Sequence, residues 1–130
     1  MAGFQNVQSV HMPVAAAIGQ LLFVEMGANG VVAAANAAAD DVVGISLESR
    51  SAAQVTAGDV QIPVALPGCK CKVTAGAAIS IASAAPVTSN ASGQAVLAVA
   101  TNKVLGYALQ AAGAAGDQIE ILFLKGAGVL

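Results

Sequence analysis

The sequence predicts an all-β domain: a small closed β-barrel or β-sandwich built from two pseudo-repeated hairpin-like units, behind an irregular N-terminal arm. Three observations predict it. Apolar and polar residues alternate with period two in several short runs, the mark of strands with one buried face. Turn sequences rich in Gly, Asn, Asp and Ser separate those runs. One phrase is also written twice: VVGISLESRSAAQVTAGDVQIPV at 42–64 and VLGYALQAAGAAGDQIEILFL at 104–124. Both read V-x-G-x-x-L, a small-residue stretch, A-G-D, then an alternating run. Two such units can pack so that each covers the other's apolar face.

Along the chain, residues 1–19 show no sustained alternation and form the predicted arm, with Phe4, Val7 and Val10 spaced by three. Residues 20–130 form the predicted single β domain. QLLFVEM (20–26) and GVVAAA (30–35) flank the turn sequence GANG. ANAAADD (35–41) is long enough for one helical turn and too short for an independent helix. VVGISLES (42–49) and DVQIPVAL (59–66) are the strands of the first repeat, with Val60, Ile62, Val64 and Leu66 on one face. Pro63 lacks an N–H, so this strand is expected at an edge or a bulge. CKCKVTA (69–75) alternates cleanly. AAISIAS (77–83) and QAVLAVA (94–100) read as strands around a loop, APVTSNASG (85–93). VLGYALQA (104–111) and DQIEILFL (117–124) complete the second repeat, the latter with Ile119, Ile121 and Phe123 on one face.

The A-G-D triplets predict turns. Gly58 and Gly116 supply positive φ without steric penalty, and Asp59 and Asp117 bond backbone N–H groups just downstream. Gly44 and Gly106, inside strands, mark bulges or close backbone approach.

Composition narrows the function. The 130 residues suit one domain with its own core. Apolar residues make up 57%, aromatics 3% and charged residues 9%, against about 25% charged in an ordinary domain. Much of the apolar content is Ala, so the mean hydropathy of +0.77 overstates the core-forming area. So few charges protect a lone monomer poorly, which points to a surface covered by oligomerisation or docking. The net charge is −2 and the five cations do not cluster, so nucleic acid is not an expected partner. The most apolar window (13–27) is interrupted by Gln20 and closed by Glu25, short of a membrane span. No Lys or Arg precedes it, so it does not read as a secretory signal either.

No residue constellation points to catalysis. His11 is the only histidine, and no nucleophile motif accompanies it. Asp40 and Asp41 are adjacent and read as loop residues, not as an acid–base pair. No phosphate-binding Gly-rich motif with Lys-Ser/Thr is present. Cys69 and Cys71 share one face of a strand and read as small residues packed inward, with Lys70 and Lys72 outward. A metal held around an oligomer axis is the sharper reading of that pair, because a lone chain lacks the four ligands a zinc site needs. Biotinyl and lipoyl carrier domains are also small pseudo-symmetric β folds with a modified Lys at a hairpin tip. Lys70, after Pro67-Gly68, invites the comparison, but the flanking cysteines match neither motif. The sequence thus predicts a non-enzymatic protein without cofactor or metal.

NVQ (6–8), VVGISLE (42–48), VTAGAAIS (73–80) and above all VLGYALQAAGAAGDQIEILF (104–123) resemble the capsid decoration, or cement, proteins of tailed bacteriophages. The resemblance spans most of the chain. It departs from the family pattern where Ser9-Val10-His11-Met12-Pro13 follows VQ, and in the CKC triplet. It implies a virion protein made in the host cytoplasm that binds the outside of the expanded capsid. There it would clamp neighbouring major capsid protein subunits, as a homo-oligomer with a trimer favoured. The alternative is another virion part, a head fibre base or a tail component. Phe4, Val7, Val10 and His11 are the candidate shell contacts, because the arm's apolar residues have no clear core position.

Overall fold

The computed structural model describes residues 8–34, 42–81 and 85–124. They form two five-stranded antiparallel sheets arranged like a β-sandwich, with one five-residue helix. The strands are β1 Ser9–Pro13, β2 Phe23–Gly27, β3 Gly30–Ala33, β4 Val42–Ser46, β5 Gln61–Ala65, β6 Cys69–Thr74, β7 Pro86–Ser89, β8 Ala95–Leu97, β9 Gly106–Ala108 and β10 Gln118–Phe123. The helix is α1, Ala52–Thr56, between β4 and β5.

Each half of the chain builds one sheet. The orders are β1-β5-β4-β2-β3 and β6-β10-β9-β7-β8, the same order displaced by five strands. Every pairing in the first sheet has its counterpart in the second. The repeat extends to the loops: Ile18 bridges Arg50 in the first half, and Ile79 bridges Ala112 at the matching place in the second. The outer strands of each sheet also approach one another. Ala75 bridges Ala95 between the end of β6 and β8. In the first half, a β-carbon added at Gly30 would lie 2.6 Å from the Pro13 carbonyl oxygen.

The first sheet is buried on both faces. Phe23, Val42, Ile45 and Ala65 join the main core with Val73, Val87, Leu105, Ile119, Ile121 and Phe123 of the second half. On the opposite face Val24, Val31, Ile62 and Val64 pack with Val14 and Ile18, and Val55 of α1 leans on that cluster. Backbone bonds join the halves: Phe23 N–H donates to Gly93 O at 2.8 Å, and Thr74 N–H to Leu21 O at 2.8 Å. Ser46 fixes the nearby corner, where its buried hydroxyl donates to Gly19 O at 2.8 Å and accepts from Leu22 N–H at 3.1 Å.

Several expectations change. The arm is not irregular over Ser9–Pro13, which pairs with β5 along its length. Met12 turns toward the Ile62 and Val64 cluster, an alternation too short to read in sequence. β5 lies between β1 and β4, so Pro63 is in an inner strand. Its carbonyl accepts from Leu47 N–H at 3.0 Å, just past the last β4 pair, Ser46 with Val64. In an antiparallel ladder a residue's N–H and C=O point the same way, so the missing donor falls where that ladder ends.

PVTS, expected as loop, is β7, with Pro86 at its first position; its carbonyl accepts from Ala98 N–H at 2.9 Å, just past the last β8 pair, Val87 with Leu97, so here too the missing donor falls where a ladder ends. AAISIAS makes no strand over its described residues; Ile79 forms only the single bridge to Ala112. Val60, expected on the buried face of β5, is exposed. The small-residue stretch of the first repeat is a helix, because Ser51 and Gln54 cap it reciprocally at 3.1 and 2.7 Å. It ends when Gly58 N–H donates to Val55 O and Asp59 N–H to Gln54 O, with Gly58 at φ 104°. The helical turn predicted for ANAAADD falls on 35–41, outside the described residues.

Candidate interaction surfaces

Of the predicted shell contacts, Phe4 and Val7 lie outside the described residues, as do Asp40 and Asp41. Val10 and His11 stand on β1, an outermost strand of the first sheet, and both are exposed. They pair with Val64 and Pro63, so their positions are fixed by the sheet and not by a free arm.

The turn residues act locally. Gly116 takes φ 95° and its N–H donates to Ala75 O at 2.8 Å. Asp117 bonds upstream instead of downstream: Oδ2 accepts from Gly113 N–H at 2.8 Å and Ala114 N–H at 3.3 Å. Asp59 enters through its backbone, closing α1. Gly44 and Gly106 sit where strands crowd. A β-carbon would run into Ala65 O at the first and Leu122 O at the second. Gly44 also adjoins a bulge, since Val24 pairs with Gly44 but Glu25 with Val42.

The cysteines face inward on β6. Cys71 is buried in the main core and Cys69 packs against it. Cys69 Sγ donates to Leu66 O at 3.2 Å and Cys71 Sγ to Lys72 O at 3.4 Å. Burial raises the Cys69 thiol pKa, partly offset by the Gln8 backbone. Burial, with the neighbouring Cys69 second, pushes Cys71 up to about 11. Such thiols are poor nucleophiles at neutral pH. Among the described residues no three His, Cys, Asp or Glu side chains gather as a metal site. Lys70 is the second residue of β6, with Nζ 3.7 Å from Glu120 Oε2. It therefore does not stand at the hairpin tip that a carrier-domain lysine occupies.

The outer face of the second sheet was not singled out in the sequence. Leu122 lies between Lys70 and Tyr107 there, and Leu109 is joined to Glu120 by an N–H···O bond of 2.9 Å. Leu109 and Leu122 remain 45% and 36% exposed. The signal was present in Leu122 and Leu124, which sit on the polar face of the β10 alternation.

What these features define is an all-β protein of two tandem five-stranded halves, with surfaces for contact and no clustered reactive groups among the described residues. Comparison with family models and with curated proteins gives no match. Among solved structures the chain is similar to the crystal structure of the N base of the head fibre protein gp8.5 of bacteriophage phi29. The TM-score is 0.69 at 17% identity, over 95% of this chain and 98% of that one. The likeness is one of fold.

Proposed function

We propose that this chain is a structural protein of a phage head, bound to the outer capsid surface through the major capsid protein. The observation that carries the reading is the fold match to a head fibre base over nearly the whole of both chains. That match favours a fibre base over the cement protein that the sequence motifs suggest. The two-sheet core suits a mechanical part, since both halves are stitched into one packed unit. In this reading the protein is a non-enzymatic homo-oligomer, with a trimer favoured, on the exterior of the virion. The N-terminal segment, with Phe4, Val7, Val10 and His11, supplies the shell contact.

The cement reading keeps one specific support, the V-x-G-x-A-L…A-G-D-x-I-x-I ending, which resembles that of decoration proteins. Binding to the expanded lattice alone would stabilise that state by mass action. The experiment is co-sedimentation of the purified protein with expanded, undecorated heads and with unexpanded proheads. Saturable binding to expanded heads is expected, and binding to neither shell would remove the reading. Heating the loaded heads then separates the two roles. A cement protein raises the temperature of DNA release, whereas a fibre base leaves it unchanged.

A further inference from the structure

The internal repeat carries an inference about the second sheet. In the first half, Phe23, Ile45 and Ala65 form a row across β2, β4 and β5. That row is fully buried, because the second half of the chain packs over it. The matching row across β7, β9 and β10 is Pro86, Tyr107 and Leu122. The next row matches too. Leu47 N–H donates to Pro63 O in the first half, as Leu109 N–H does to Glu120 O in the second. Leu47 packs against the main core, whereas Leu109 is exposed. The face that the first half uses to receive another sheet is therefore repeated in the second half and, among the described residues, left open. It keeps large apolar side chains at the matching places. A solvated outer face of a terminal repeat would ordinarily be polar throughout.

We infer that this face, centred on Tyr107, Leu109 and Leu122, binds a second copy of the same chain. Within the molecule, its counterpart is already covered by a half of this same fold. The charges around it also favour self-association over a partner of one sign. Lys70 and Lys72 stand beside Glu120 on neighbouring strands, so the patch carries both signs and can complement itself. The inference rests on the homo-oligomer part of the proposed function and not on capsid binding.

The test is made without any capsid. Tyr107 is the only tyrosine and the chain has no tryptophan, so its fluorescence reports on this face alone. Acrylamide quenching of Tyr107 is expected to fall as protein concentration rises. Sedimentation velocity should show association in step with that protection. Leu122→Glu and Leu109→Lys, both at exposed positions, should weaken association at least about tenfold with far-UV circular dichroism unchanged. A chain that stays monomeric at every concentration overturns the inference together with the homo-oligomer reading. Association that leaves Tyr107 equally quenched, or that either folded variant leaves intact, overturns this face alone. In either case the co-sedimentation result stands or falls independently.

Discussion

The rings of Phe23 and Phe123 meet across the two sheets, with centroids 5.9 Å apart and planes inclined at 53°. Both are fully buried, one at the start of β2 and the other at the end of β10. Tilted ring pairs of this kind add to the stabilisation from burial itself. Phe123→Ala should therefore cost about 3–5 kcal/mol in urea unfolding. Leu122→Ala, one residue away on the outer face, should cost less than about 1 kcal/mol. Equal losses would contradict the two-sided character of β10.

Gly44 and Gly106 are the same structural position in the two halves, each pressed on the neighbouring strand's backbone. A methyl group there meets a carbonyl oxygen that cannot move without breaking the ladder. Either Gly→Ala change is expected to destabilise by about 1–3 kcal/mol, seen as a lowered urea midpoint at constant slope. Ala at Gly58, which has positive φ but open space around it, should cost only about 1 kcal/mol. An unchanged midpoint for Gly106→Ala would show that β9 and β10 can separate there.

Helix α1 has no fully buried residue and depends on its caps. Ser51→Ala removes one of them and should cost about 1 kcal/mol. Hydrogen exchange of amides 52–56 should accelerate while β10 amides stay protected. If those amides keep their protection, the contact of Val55 with the Ile62 and Val64 cluster holds the helix instead.

The thiols predict a pH dependence. Cys71 is raised from 9.0 to about 11 in the folded protein, so the unfolded chain ionises first. Stability from this group is unaffected below the unfolded value and falls as pH rises from about 9 toward about 11. Thermal unfolding of the native protein and Cys71→Ala across that window should show the extra loss only in the native protein. Parallel curves would mean that the thiol titrates normally. A thiol reagent at neutral pH should modify half-buried Cys69 before buried Cys71.

Truncation separates shell contact from folding. Removing residues 2–7 leaves β1 whole and should weaken co-sedimentation with heads while keeping the melting temperature. Removing 2–12 takes away all of β1 but Pro13 and uncovers the edge beside Ile62 and Val64. That loss should cost roughly 2 kcal/mol or more, so this deletion does not test binding cleanly. Full binding by the shorter truncation would move the shell contact away from the segment before β1.

The sequence by itself determined the strands whose alternation is long and flanked by turn residues: β2 and β3 around GANG, β4, β5, β6 and β10. It also determined the duplication, the crowding at Gly44 and Gly106 and the inward cysteines, since each follows from side-chain size or local period. The capping pair Ser51 and Gln54 was written there as well, inside the small-residue stretch of the first repeat. Other features were decided only by tertiary structure. Ser9–Pro13 and Pro86–Ser89 are strands because an existing strand, β5 or β9, offers them a partner, and neither has enough alternation to stand out alone. Pro63 is admitted to an inner strand because β4 stops pairing just where its donor is missing. Which apolar faces are covered depends on how one half stacks on the other. Local pattern fixes what a segment can bury, whereas the neighbour that buries it comes from distant chain, and that is why Phe23 is buried while Leu122 faces out.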